Sequence, residues 1–271
     1  MAKKFRGRGG QRGRSGGPKG FGGRRFQDDE SQDLGADHDF GVAIPGEVLP
    51  EAQWAKTALK KLPLPGELSM EALFGRSAPL VLDLGCGNGR FLLASALAHP
   101  EMNHLGIDIL PMVIRYATRR ANQRGLHNAR LAVIGAYELL EQYIAPHSVQ
   151  EIHLYHPQPY KDLDKSYKRL VTPEFLSLVH RSLVPGGLFV IQTDNRAYWD
   201  YIVKVMPKLF TFEDLQTPWP DALEGRTRRE IYARRKGMRI FRGTGIPLPN
   251  LSDEQIATII AETPLPRFMA S

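Results

Sequence analysis

Three glycines at alternate positions, Gly85, Gly87 and Gly89, follow directly on an apolar run at residues 79–84. The run reads as a buried parallel strand and a helical pattern begins at Arg90, so the chain must turn sharply between them. Glycine permits positive φ and leaves no Cβ in the way, which lets a ligand lie against the main chain at a helix N-terminus. The spacing is G-x-G-x-G with Asp83 two residues ahead, not the G-x-G-x-x-G of dinucleotide sites. It also lacks the Lys-Ser/Thr of a triphosphate loop. Nineteen residues past Gly89 a second apolar stretch ends on Asp108, where an acidic side chain takes two ribose hydroxyls. Together these features point to S-adenosylmethionine, although a turn that merely joins strand to helix uses the same glycines.

From this turn onward strands and helices alternate. Strands are expected at 79–84, 103–108, 129–134, 149–155 and 188–193, with a final pair at 210–215 and 238–242. Helices are expected at 90–98, 112–123, 136–143, from Thr172-Pro173 onward, and at 195–206, with a helix or loop at 224–236. Residues 51–62 read as a short helix ahead of the first strand, and 251–261 as an amphipathic helix between prolines. Such alternation predicts a doubly wound, mostly parallel sheet with helices on both faces, whose ligands sit outside the C-terminal strand ends. The expected organisation is a disordered arm over 1–50, a catalytic domain over 51–246 and a C-terminal extension over 247–271.

Charge divides the chain further. Residues 1–26 hold nine Lys or Arg and no acid, 27–51 hold eight acids and no base, and the remainder carries 27 basic against 21 acidic residues. The Arg/Gly repeats around Phe5, Phe21 and Phe26 cannot offset the entropy of folding, and their chemistry suits sequence-tolerant RNA contact or plain solubility. The body remains basic without the arm, which favours a polyanionic partner. One cysteine, Cys86, rules out an internal disulfide. No apolar run has the roughly 20 residues needed to span a bilayer. We therefore expect a cytoplasmic protein without membrane or metal, either monomer or homodimer.

Two segments carry the remaining chemistry. After the fourth strand comes His156-Pro157-Gln158-Pro159-Tyr160-Lys161, a stiffened loop with a ring for stacking on a base. Lys165, Lys168 and Arg169 follow it. The densest positive run spans 226–242, where eight basic residues stand against the single acid Glu230. An acid so isolated is either a salt-bridge partner or an acceptor for a guanine edge.

These motifs, in order, resemble the tRNA (guanine-N7-)-methyltransferases of the TrmB type: residues 82–89, Gly106-Ile107-Asp108, Pro157-x-Pro159, Lys168-Arg169-Leu170, Pro173-Glu174-Phe175, Pro185-Gly186-Gly187, Thr193-Asp194 and Thr227-x-x-Glu230. The resemblance covers about residues 79–242. It implies a Rossmann-like class I methyltransferase fold, a seven-stranded sheet with an antiparallel final strand. The implied activity is methyl transfer from S-adenosylmethionine to N7 of a guanine in the tRNA variable loop. On this resemblance Asp83, Gly85, Gly87, Asp108 and Ala136 surround the cofactor, and Gln158, Asp194 and Glu230 carry the reaction. Tyr160, Lys161, Lys168, Arg169, Asp194, Arg226, Thr227, Arg228 and Glu230 meet the RNA. The chain departs from the family pattern at His156, Gln158 and Tyr160, where Phe, Asp and Trp are usual, and at Gly135, where an Asp is usual. Two other readings stay open: a methyltransferase with another acceptor, and a non-catalytic RNA-binding protein on the same scaffold.

Overall fold

The computed structural model describes residues 37–59, 62 and 69–269. The expected Arg/Gly arm at 1–26 lies outside the described residues. Strands β1 (His38–Asp39) and β2 (Val42–Ala43) make a small antiparallel hairpin, followed by the short helix α1 (Met70–Phe74). Then come β3 (Leu80–Leu84), α2 (Arg90–Ala98), β4 (Asn103–Asp108), α3 (Pro111–Gln123), β5 (Ala129–Val133), α4 (Ala136–Gln142) and β6 (Val149–Tyr155). The second half adds α5 (Pro173–Ser182), β7 (Leu183–Thr193), α6 (Arg196–Val205), β8 (Phe210–Leu215), α7 (Arg228–Arg235), β9 (Phe241–Pro247) and α8 (Asp253–Glu262).

Seven strands form the sheet in the order β5-β4-β3-β6-β7-β9-β8. The ladder is parallel throughout except at β9, which runs antiparallel to both β7 and β8. β3 is apolar but for Asp83 and buried at all five positions, as expected of a central strand covered on both faces. Helices α2 and α3 seal one face through Leu92, Leu93, Ile114, Ala117 and Ala121. The opposite face packs Leu139, Leu140, Phe175, Val179, Tyr198 and Ile202 into a larger core. Strand order reverses between β4 and β6 around β3, so the crevice beyond the end of β3 is where a ligand belongs in such a sheet.

Four expectations need correction. Residues 51–59 do not form a helix beyond a 3-10 turn at Glu51–Gln53. The Ala55 amide bonds Asn122 O, and both the amide and hydroxyl of Thr57 bond Asn122 Oδ1, so α3 draws this segment out into extended form. The last strand begins three residues later than expected and runs to Pro247, because Gly243 and Gly245 belong to it. A Cβ on Gly243 would lie 2.6 Å from Glu213 O, so the glycine that reads as a loop is there to admit β8. β7 begins at Leu183 rather than 188, taking up Pro185-Gly186-Gly187 as a bulge opposite Val149 and Glu151.

The fourth concerns residues 37–50, expected to be part of the disordered arm. They are packed on the body. Asp39 is fully buried, accepts from Asn88 Nδ2 at 2.8 Å and from an Arg90 guanidinium N–H at 3.2 Å, and lies 3.6 Å from Arg228 Nε. Asp37 pairs with Arg124 at 2.9 Å, and Phe40 sits between the Arg228 guanidinium and the Tyr232 ring. Three buried or half-buried arginines, Arg90, Arg124 and Arg228, need carboxylates, and this acidic segment provides them.

Candidate active site

The turn after β3 holds its three glycines for two different reasons. Gly85 and Gly87 have φ of 78° and 51°, and a Cβ at either would meet nothing within 4 Å. They open onto free space. Gly89 also has positive φ, but its Cβ would lie 2.9 Å from Ala117 Cβ, so it is there to let α2 approach α3. The amides of Gly85 and Cys86 both bond Ile107 O and tie the turn to β4.

Asp83, at 2% exposure, has one carboxylate oxygen, Oδ2, without any hydrogen-bond partner. Burial, with the Asp108 charge added, pushes its carboxyl up from 3.8 to about 8. An orphaned acid beneath an open glycine cradle is a place for a cationic group. Asp108 is held by two main-chain amides, Gly87 to Oδ2 at 3.1 Å and Leu110 to Oδ1 at 2.9 Å. Each oxygen keeps a second lone pair. Gly135 caps α4 and a Cβ there would meet nothing within 4 Å. The first-turn Ala136 amide has no acceptor within its own helix. A buried carboxylate with an unpartnered oxygen, a second carboxylate with lone pairs to spare and room above two glycines make a donor set that fits S-adenosylmethionine.

Across the crevice, the loop after β6 carries Gln158 exposed and Tyr160 half-buried, with His156 and Tyr160 both at positive φ, 51° and 40°. His156 Nδ1 lies 3.3 Å from Asp194 Oδ1, while Arg229 donates twice to Asp194 Oδ2, at 3.0 and 2.7 Å. Burial pushes the Asp194 carboxyl up, but the His156 hydrogen bond and charge, with Arg229, outweigh it and hold it at about 2. Asp194 is therefore a fixed negative charge at the end of β7. His156 is the partner that motif reading passed over; its signal was the departure from phenylalanine at the head of the loop.

Glu230 is fully buried and fully engaged. Oε1 accepts from Arg234 and Arg242, and Oε2 from Gln192 Nε2 and the Arg226 amide, both at 3.0 Å. Burial raises its carboxyl, yet the Gln192, Arg226 and Arg234 bonds bring it below the usual range. Thr227 Oγ1 accepts the Glu230 amide as the N-cap of α7, so Thr-x-x-Glu builds a helix start and anchors it to the sheet. This corrects the expectation that Glu230 faces a base.

Two expected RNA contacts are likewise occupied within the fold. Arg226 grips Asp221 and donates to Tyr155 Oη, with its guanidinium 4.0 Å from the Trp219 ring centroid, and Arg228 lies over Phe40. Arg169, at 1% exposure, gives its N–H groups to main-chain carbonyls and corrects the expectation of a phosphate contact. Lys161, Lys165 and Lys168 remain exposed beside the loop.

Comparison with known proteins agrees with this geometry. The methyltransferase family model Methyltransf_4 matches residues 77–242. The chain is 32% identical over 157 residues to the tRNA (guanine-N(7)-)-methyltransferase of Halorhodospira halophila, covering 58% of this chain and 68% of that one. To the enzyme of the same name from Alcanivorax borkumensis it is 32% identical over 178 residues, 66% of this chain and 74% of the relative. Among solved structures, the 16S rRNA methyltransferase KamB superposes with a TM-score of 0.50 at 20% identity, covering 68% of this chain and 95% of that one, and shares the fold. With the family model covering the chain from before β3 to the start of β9, and relatives of this name matched over two thirds or more of their length, the chain belongs to the tRNA (guanine-N(7)-)-methyltransferase family of methyltransferases.

Proposed function

We propose that this chain methylates N7 of a guanine in tRNA, with S-adenosylmethionine as donor and the variable loop as target. The observation that carries the reading is the partnerless Oδ2 of the buried Asp83 carboxylate beneath the open glycine cradle, in a chain whose relatives bear the name of this reaction. Asp83 would take the ammonium of the methionine moiety, Asp108 the ribose hydroxyls and the Ala136 amide the adenine edge. S-adenosylmethionine supplies an electrophilic methyl on a sulfonium. Guanine N7 has a free lone pair, so no residue has to remove a proton before attack, and the protein's work is alignment and electrostatics.

Asp194, held ionised by His156 and Arg229, stabilises positive charge as it passes to the purine. Gln158, exposed at the loop tip, orients the base through its amide. Lys161 and Lys168 neutralise phosphates. Incubation with labelled S-adenosylmethionine and unmodified bulk tRNA, followed by nucleoside analysis, tests the reading. A 7-methylguanosine product is expected. Cofactor binding without it would overturn the acceptor and favour a silent scaffold.

A further inference from the structure

Arg169 ends the 3-10 turn Leu163–Lys168 and turns its guanidinium inward. Nε donates to Pro159 O at 2.6 Å and one Nη to Tyr160 O at 2.7 Å, both in the loop that bears Gln158. The remaining bonds cross to the end of the chain, to Pro266 O and, at 2.8 Å, to Phe268 O. The Phe268 ring lies 3.8 Å from the guanidinium carbon and packs on Tyr198 and Tyr201, while Tyr201 Oη donates to Pro264 O at 2.9 Å. One side chain thus ties together segments separated by almost one hundred residues.

A guanidinium this deeply buried needs its hydrogen bonds, and a planar fork satisfies several fixed carbonyls at once, as an ammonium does not. The loop in turn needs holding. His156 and Tyr160, on either side of Gln158, are non-glycine residues in the left-handed region, a conformation that persists only when the surroundings impose it. Arg169 grips the loop at Pro159 and Tyr160, immediately after Gln158, and residues 264–268 close the other side of the grip. We propose that Arg169 and the C-terminal segment 264–268 form a clasp that positions the Gln158 loop for methyl transfer. Arg169 is a positioning residue: it touches neither cofactor nor base. The inference rests on the functional reading above for its kinetic consequence, though not for its structural one.

The test uses the full chain and four variants, Phe268→Ala, Phe268→Tyr, Tyr201→Phe and Arg169→Lys. Amide hydrogen exchange over residues 156–162 reads the loop directly, and kcat/KM for tRNA, the dissociation constant for S-adenosylmethionine and Tm are measured beside it. Phe268→Ala and Arg169→Lys are expected to speed exchange in 156–162 and lower kcat/KM about tenfold, as misalignment at a reacting centre does, with cofactor affinity within about twofold. Tyr201→Phe should give a smaller change of the same kind. Phe268→Tyr, which keeps the ring under the guanidinium, should restore wild-type behaviour. Unchanged exchange in 156–162 overturns the clasp. Faster exchange with unchanged kcat/KM overturns its positioning role, as does a loss shared equally by cofactor binding and Tm. A wild-type chain that methylates no RNA defeats the functional reading while the exchange data still decide the clasp.

Discussion

Asp83 combines burial with an unmet hydrogen bond, and its value of about 8 gives the site a proton to exchange. Its folded-state value lies above the unfolded one, so the stability it contributes is present in full below about pH 4 and is lost as pH rises through 8. A cation docked against the carboxylate reverses that preference and expels the proton. Calorimetric titration with S-adenosylmethionine at pH 7 should therefore give an apparent enthalpy that varies with the ionisation heat of the buffer. Asp83→Asn should remove the variation and weaken binding; a buffer-independent enthalpy in the wild type would mean that the cofactor does not meet Asp83. At the loop tip, Gln158→Asp should keep or raise turnover, since Gln158 is exposed and no fold contact depends on its amide. A tenfold fall would show that a carboxylate cannot replace the amide in orienting the base. The places of Asp83, Gly85, Gly87, Asp108 and Ala136 at strand ends and helix starts were legible because each follows from spacing after a strand. The arginines were not: a list of charges does not say that Arg169 and Arg242 are buried while Lys161 and Lys168 are exposed.

Elements between residues 80 and 155 were legible almost to the residue, since apolar runs there are punctuated by glycine, proline and polar turns. Where tertiary contacts override local pattern the reading failed, as at 51–59, held extended by Asn122, and at β9, whose glycines answer to the neighbouring strand. The segment 37–45 was illegible for another reason: its partners are scattered over α2, α3 and α7. It joins the glycine turn, through Asn88 and Arg90, to the arginine helix, through Arg228 and Tyr232. Asp39→Ala leaves buried arginines without their carboxylate and is expected to cost about 3–5 kcal/mol, a fall in Tm on the order of 10 °C by scanning calorimetry. Asp39→Asn, which keeps the hydrogen-bonding shape, should cost less. Equal Tm for all three proteins would show that the charge of Asp39 is irrelevant to the docking of this segment.

For the molecule as a whole, charge falls in blocks along the sequence: nine basic residues and no acid over 1–26, eight acids and no base over 27–51, and 27 basic against 21 acidic residues beyond. If the arm contacts phosphate, its deletion must flatten the salt dependence of tRNA binding, because fewer counterions are released per complex. A titration from low to physiological salt with and without residues 1–26 measures the difference in slope; identical slopes would assign the arm to solubility. The body should retain most of the slope in either case, through the exposed lysines beside the Gln158 loop.

The order of the sheet also bears on how the chain is made. β9 lies between β7 and β8 and is synthesised after both, so a nascent chain presents two strands with open hydrogen-bonding edges until the residues from Phe241 to Pro247 have emerged. Among the described residues, β8 pairs with no other strand than that late arrival. A ribosome that stalls in the stretch between them therefore leaves an adhesive intermediate, and the glycines of β9, by letting it slide in against Glu213 and Phe212 without a steric collision, close the gap as the last strand of the sheet is delivered.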